Sequence, residues 1–271
     1  MKTHIPVERL SNPPLVLVLA VIKFAQLPSK DFEDAVLQLH GVIRKEYPGI
    51  EKGKDKNIQV LFNEQEDQFH QEIKHTEEPS VTFTSSDSSW LIKINTTSLA
   101  IFTKKYISFD DLLEKVLRII SQLEQKAGIT HTSNIGLRYI NRIDINTETG
   151  FDDSVVNGFL QPKIVEFNAM AGSDMVNIYQ ADPGWCILRT SLRIQGHEVP
   201  NDLLPVAQKM RLALEPVNNV FASIDIDSNT MSHDYIEFNI EGIKNCFSEL
   251  HSLIKIAFGS VLTEAEIQRR S

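Results

Sequence analysis

Residues 135–145 of the chain read IGLRYINRIDI, and their side chains alternate between an apolar set and a polar set. The apolar set, interrupted only by Asn141, is Ile135, Leu137, Tyr139, Ile143 and Ile145, and the other set is Gly136, Arg138, Ile140, Arg142 and Asp144. Because successive side chains of a β-strand point to opposite sides, this period of two predicts a strand. We expect one face of it to be buried and the other to meet water, a partner or a ligand.

The same pattern of charged residues returns in two later segments. Residues 185–195 and 221–227 also alternate with period two, each with an apolar face opposite a polar one. If the three segments share one sheet, a single face carries seven charged side chains, namely Arg138, Arg142, Asp144, Arg189, Arg193, Asp225 and Asp227. We call this set the Arg/Asp face.

Two interpretations of the Arg/Asp face are open on the sequence alone. The charged groups could pair with one another as a structural ladder, although such cross-strand pairs contribute only about 0.2–1 kcal/mol each. Alternatively they form a binding site, because guanidinium groups recognise carboxylates and phosphates and the aspartates could hold them in place. The second interpretation predicts a protein partner or a small anionic ligand.

Apolar periodicity predicts the best-defined helices and the first strand. Residues 15–24 are an almost continuous apolar run, which favours a buried central strand followed by a helix with Ser29 as its N-cap. Residues 109–126 and 240–259 carry apolar residues at helical spacing. The first of these two helices follows a capping motif at Ser108.

Other segments give weaker patterns. Residues 63–79 are rich in Gln, Glu and His and predict a solvated loop, and a strand is expected over 164–170. Short helices are expected over 152–160 and 203–214. His251 lies near the apolar stripe of the last long helix, where we expect a semi-buried histidine with satisfied hydrogen bonds.

The order of elements predicts an α+β fold with a mostly antiparallel sheet and long packed helices. Both residues 1–130 and residues 131–271 follow the order β-α-β4-α, which indicates two duplicated halves packed as one continuous unit. In architecture this resembles the TATA-binding-protein and helix-grip folds, where long helices pack on a curved antiparallel sheet. A helix-grip protein would hold a small ligand between its last long helix and the apolar face of the sheet.

Composition narrows the classes of partner. The formal net charge of −9 over 271 residues disfavours nucleic acid, whose phosphates an acidic chain repels. The apolar run at 14–24 is shorter than the ~20 residues that span a bilayer, so we expect no membrane segment. Two cysteines in the whole chain favour a reducing compartment, and we expect a cytoplasmic protein.

Motifs of common enzyme classes are missing from the sequence. It contains no GxxxxGK[ST], GxGxxG, HExxH, CxxC or GxSxG pattern. We therefore predict no catalytic residue, no metal and no cofactor. A metal-dependent triphosphate hydrolase that lines a barrel with alternating charges stays an alternative, although the ExExK pattern that opens such barrels is missing from 17–23.

Several of these segments together resemble one family. The chain has Asn12-Pro13-Pro14-Leu15 before its first strand, the central GLRYINRI at 136–143, Asp225-Ile226-Asp227, and Leu250-His251 with Phe258 in its last long helix. In these motifs it is similar to a family of sporadically distributed prokaryotic proteins of similar length. The resemblance implies a prokaryotic, cytoplasmic, single-family protein and implies no activity.

The function that these observations favour is binding rather than catalysis. We expect an interaction protein, and the patchy distribution of the family it resembles suggests an accessory component of a prokaryotic defence or toxin-neutralising system. The alternative is a protein that binds a small ligand or a phosphate compound. Exposed sheet edges would also allow a homodimer.

Overall fold

The computed structural model of the protein describes residues 10–65, 68–145, 154–159, 172–231 and 234–271. Within these ranges the chain forms a ten-stranded sheet and five α-helices. The strands are β1 (Leu15–Phe24), β2 (Gly49–Gln65), β3 (Gln68–Thr84), β4 (Trp90–Asn95), β5 (Ser98–Thr103), β6 (His131–Asp144), β7 (Ser173–Ala181), β8 (Gly184–Arg193), β9 (Phe221–Thr230) and β10 (Ile236–Glu237). The helices are α1 (Ser29–Ile43), α2 (Phe109–Ala127), α3 (Leu204–Lys209), α4 (Ile240–Val261) and α5 (Glu264–Arg270).

Neighbouring strands of the sheet run antiparallel in the order β2-β3-β4-β5-β1-β6-β9-β8-β7, and β10 pairs with the start of β6. This confirms the predicted α+β class with an antiparallel sheet. The three segments that carry the Arg/Asp face are neighbours, because β9 lies between β6 and β8.

The first strand lies at the centre of the sheet, between β5 and β6, as its apolar run predicts. Its residues alternate between two cores. Val18, Ala20 and Ile22 belong to the core under α1, α2 and α4, whereas Leu17 and Leu19 belong to a second core under α3 on the opposite face. Since β1 is covered on both sides, it needs apolar residues at consecutive positions. Its sequence therefore does not alternate between apolar and polar residues.

Helix caps explain where the helices begin and end. The Asp111 N–H donates a hydrogen bond of 3.2 Å to Oγ of Ser108, and α2 ends at Gly128 with φ 67°, a left-handed conformation that glycine adopts without strain. The predicted cap of α2 is therefore confirmed. The predicted cap of α1 is wrong, because Pro28 occupies that position, Ser29 is already helical, and no side chain caps the helix.

Two predicted segments differ from the structure. The loop expected over 63–79 is instead part of a long two-stranded ribbon in which β2 and β3 pair from Gly49 with Thr84 to Gln65 with Gln68. β4 pairs with β3 only over 80–84, so beyond that range the ribbon consists of β2 and β3 alone. The helix expected over 203–214 ends at Lys209, because residues just beyond it take left-handed conformations, such as Arg211 with φ 54°.

Part of the predicted second half lies outside the described residues. The strand expected over 164–170 is one such segment. Of the helix expected over 152–160, residues 154–159 are described, and they contain a bridge from Val155 to Leu262 and a single 3₁₀ turn, Asn157–Phe159. Over 154–159, then, the α-helix prediction is wrong.

Both cysteines are free thiols, of which Cys186 is buried and Cys246 is half-buried. Among the described residues, no helix combines the length and the apolarity needed to cross a bilayer.

The last helix, α5, contains a buried carboxylate, Glu266, that forms ion pairs with two arginines of the same helix. The side chain of Glu266 is 3% exposed, and its oxygens lie 2.5 Å from Nε of Arg270 and 3.0 Å from Nη2 of Arg269. Arg270 in turn donates a hydrogen bond of 3.2 Å to the carbonyl of Asn12, and its own carbonyl accepts from the Asn12 N–H. The helix therefore holds the segment that leads into β1.

We predict that Glu266→Ala releases α5 from the domain. Removing one partner of a buried charge cluster leaves the others uncompensated, which costs about 3 kcal/mol. Because the cluster links α5 to Asn12 and not to a strand of the sheet, this loss appears as local opening, so hydrogen exchange should become fast in residues 264–270 while the amides of β1 and β6 stay protected. Unchanged protection of α5 in this variant would contradict the prediction.

Candidate functional site

Asp225 is the centre of the Arg/Asp face. Its carboxylate, 3% exposed, accepts a bidentate pair of hydrogen bonds from Arg138, with Nε–Oδ1 at 2.8 Å and Nη2–Oδ2 at 2.7 Å. Nη1 of Arg189 lies 3.4 Å from the same carboxylate. Burial disfavours the charge of Arg138, but its hydrogen bonds to Asp225 and Asp202 outweigh that cost and raise the pKa of Arg138. This arginine is charged under all physiological conditions.

The outer arginines of the face also have carboxylate partners. Arg142 pairs with Asp144 at 2.6 Å and with Glu198 at 2.9 Å. Arg193 lies 2.6 Å from Asp174. The structure thus brings Arg138, Arg189, Asp225 and Asp227 together, and it places the pair Arg142–Asp144 and the residue Arg193 in separate ion pairs.

Three carboxylate partners of the Arg/Asp face were not predicted, and one of them is Asp174 on β7. Glu198 and Asp202 come from the segment between β8 and β9, which folds over the sheet beside α3. No periodicity marks a loop residue as a partner of a strand residue, so the sequence offers no signal for either. The charged side chains of the Arg/Asp face thus pair with carboxylates or arginines of the protein, as in a structural ladder. The binding role of its seven residues stays a prediction.

We predict that Asp225→Asn lowers the free energy of unfolding by about 3 kcal/mol, because the buried guanidinium of Arg138 loses its bidentate partner. Urea unfolding followed by circular dichroism would measure it. Asp144→Asn is the matched control: its side chain is 60% exposed, and it should cost less than about 1 kcal/mol. Equal stability of the two variants would show that the network tolerates the loss of its central carboxylate.

A groove opens on the opposite face of the sheet, between α4 and β6. Its volume is about 750 Å³. We call it the α4–β6 groove, and its lining residues are Leu10, Ser11, Pro13, Pro14, Leu15, Tyr106, Ile107, Ser108, Phe109, Tyr139, Asn141, His251, Ile254, Lys255 and Phe258. Most of these side chains are apolar or aromatic. A helix-grip protein is expected to have such a groove between its last long helix and the sheet.

Polar groups collect on the sheet side of the groove. The Tyr139 hydroxyl donates a hydrogen bond of 2.9 Å to the Tyr106 hydroxyl, and burial raises the pKa of Tyr139, so the phenol stays neutral. Asn141 is 2% exposed, and its Nδ2 donates 3.2 Å to the carbonyl of Ile224. No described residue donates to its Oδ1. This oxygen is therefore left to accept a hydrogen bond from a ligand in the groove.

His251 forms the helix side of the same polar region. Its ring stacks on Phe109 with centroids 4.0 Å apart and an interplanar angle of 7°. The ring is half-buried, as expected, and neither ring nitrogen has a hydrogen-bond partner among the described residues. Burial, with a smaller contribution from Lys255 and against the effect of Asp110, lowers the pKa of His251 to about 4. At neutral pH this residue therefore offers one donor and one acceptor to the groove.

The residues of the α4–β6 groove were not in the predicted site, although the sequence of β6 contains one indication of them. Asn141 is the polar interruption of the apolar face of β6, and a polar residue at a core position needs a partner or a purpose. The groove lining outside β6 comes from three segments that are far apart in sequence. They are residues 10–15, residues 106–109 and the second half of α4. Their convergence depends on tertiary packing, which a linear pattern does not contain.

No protein-family model matches this chain, and comparisons with curated proteins and with solved structures gave no significant match either.

We predict that His251 makes the protein less stable in mild acid. Since its pKa is about 4 in the folded state and about 6.5 when unfolded, the unfolded chain binds the proton first. The resulting stability is complete above pH 6.5 and is lost as the pH falls toward 4, by at most about 3 kcal/mol. His251→Phe keeps a ring against Phe109 and removes the titration. Urea midpoints at pH 7 and pH 4.5 should differ less in this variant, and an equal difference would contradict the assignment.

Proposed function

We propose that the protein is a binding protein that holds a small amphipathic anion in the α4–β6 groove. The observation that carries the proposal is the combination of an apolar groove of about 750 Å³ with the donor-free Oδ1 of Asn141 at its base. Small-molecule sites are mostly apolar clefts of this size with a few placed polar groups.

Each part of the groove favours a different part of the ligand. The apolar side chains, among them Phe258 and Ile254, suit an aromatic or aliphatic body. Asn141 and His251 suit a group that donates a hydrogen bond and accepts one. Among the described residues that line the groove, Lys255 is the only one with a charge at neutral pH, and it lies exposed on α4. Its ammonium group favours a ligand with a negative charge at the solvent end.

Four broader expectations accompany this proposal. An accessory role in a prokaryotic defence or toxin-neutralising system, through a protein partner, stays a prediction, as do the family resemblance and the cytoplasmic location. The duplication also stays a proposal. It is supported by the strand order, which runs outward as β1-β5-β4-β3-β2 on one side of the centre and as β6-β9-β8-β7 on the other.

The anion proposal predicts how the protein binds 8-anilinonaphthalene-1-sulfonate, an aromatic anion whose fluorescence rises in apolar sites. A titration of the folded wild-type protein should saturate at one site per chain, and Lys255→Glu should weaken the affinity at least tenfold, because the sulfonate loses its counter-ion. Added salt should weaken wild-type binding in the same direction.

Lys244→Glu is the control for this titration. Lys244 also lies exposed on α4, where it pairs with Glu241 rather than lining the groove, so its reversal should leave the affinity within about twofold. Near-ultraviolet circular dichroism must show that both variants keep their packing, since partly unfolded protein also binds the dye. Equal affinities of Lys255→Glu and the wild type would overturn the proposal.

A further inference from the structure

A second cavity lies on the other face of β6, where the strand has a glycine. Gly136 pairs with Val21 of β1 on one side and with Asn229 of β9 on the other, and it is buried. A Cβ atom placed on it would meet nothing closer than Cβ of Asn229 at 3.7 Å, and its φ is not in the left-handed region. Neither the backbone nor a close neighbour therefore requires glycine here. Because Gly136 has no side chain, it leaves an open space above the strand at this position.

That space is the floor of a polar cleft of about 440 Å³, which we call the Gly136 cleft. β1 contributes Lys23, β6 contributes Asn134 and Arg138, and β9 contributes Asp227 and Asn229. Tyr235, 60% exposed, stands at its side. Unlike the α4–β6 groove, this cleft is lined mainly by charged groups and amides.

Arg138 is not available to a ligand in this cleft. Its Nε and Nη2 donate to Asp225, and Nη1 donates to Asp202 at 2.6 Å, while Nη2 also approaches Asp202 at 3.4 Å. Nearly all its donors are thereby used, so the positive charge of the cleft is that of Lys23. The ammonium of Lys23 is exposed and has no ion pair among the described residues.

Asp227 is the carboxylate of the Arg/Asp face without a close cation, and its side-chain hydrogen bond is with the neutral amide of Asn229. Its nearest cation is Nη1 of Arg189 at 3.8 Å, and its side chain is 25% exposed. Burial raises the pKa of Asp227 above its ordinary value, and the attraction of Arg138 and Arg189 does not fully oppose that rise. A carboxylate in this state gains free energy from any cation or donor that reaches it.

We propose that the Gly136 cleft binds a short zwitterionic peptide, whose amino terminus pairs with Asp227 and whose carboxylate pairs with Lys23. The strand register gives the spacing. Lys23 lies opposite Asn134, and Asp227 lies opposite Arg138, so they are separated by four positions along β6 and by two strand spacings across the sheet. This places their Cα atoms ~16 Å apart.

The length of the ligand follows from that distance. Side chains stand roughly perpendicular to their strand, so the lysine stem takes up only part of the ~16 Å between the Cα atoms. Two ion-pair contacts of ~3 Å each leave at most ~10 Å, which is longer than one amino acid and has room for the ~7 Å of two extended residues. Between the charged ends, Nδ2 of Asn134 already donates 2.7 Å to the carbonyl of Thr230 and Asn229 is hydrogen-bonded to Asp227, so the peptide N–H would meet Oδ1 of Asn134.

Isothermal titration with Ala-Ala tests the proposal, with N-acetyl-Ala-Ala-amide as the uncharged control ligand. The wild type should bind Ala-Ala and not the blocked peptide. Asp227→Asn and Lys23→Gln should each weaken binding at least tenfold, and Gly136→Val should abolish it by filling the floor of the cleft. Asp144→Asn, on the same face but at the far end of β6, should bind as the wild type does.

The outcomes separate this proposal from that of the anion in the α4–β6 groove. Dye binding at the groove should be unchanged in Lys23→Gln, because the two sites lie on opposite faces of β6. No heat of binding with the wild type, or equal affinities of the wild type and Lys23→Gln, would overturn the peptide proposal. Lys23 is exposed, so Lys23→Gln gives a valid result even if Gly136→Val does not fold.

Discussion

The antiparallel pairing of β1 with β6 is the contact on which the rest of the structure depends. It joins strands of the first 130 residues to strands of the remainder, so the sheet continues from one part of the chain into the other. The two strands bury apolar residues on both faces, against α4 on one side and α3 on the other. A long-range pairing of this kind must form before either cavity exists, because β6 supplies the floor of both.

The Arg/Asp face shows how a sheet face that is not covered by the main helices is stabilised. Asp225 is buried, and a single buried carboxylate would be unfavourable, but two arginines from the neighbouring strands surround it. The segment between β8 and β9 adds Glu198 and Asp202 at the edge of this cluster. The charges are thereby paired strand to strand and strand to loop, which orients the loop while it covers the second core.

The sequence predicts those parts of the fold that depend on a pattern within a single segment. Apolar periodicity and the cap at Ser108 predict α2, and alternation predicts β6, β8 and β9, because each pattern reflects the face that the element buries. The sequence of the β2–β3 ribbon over 63–79 is rich in Gln, Glu and His and has no such pattern, although the two strands pair along this stretch. The partners Glu198 and Asp202 and the two cavities arise from contacts between distant segments, and α5 is held in place by charges rather than by an apolar stripe.

The strand β6 departs from its own pattern twice, and each departure faces a cavity. Asn141 interrupts the apolar side at the base of the α4–β6 groove, and Gly136 leaves a gap on the polar side at the floor of the Gly136 cleft. Neither change is required by the backbone, and each weakens the packing of a central strand. Local choices in a sequence agree with the fold except at functional or strained sites. Asn141 and Gly136 are two such exceptions on one strand, and the two binding proposals rest on them.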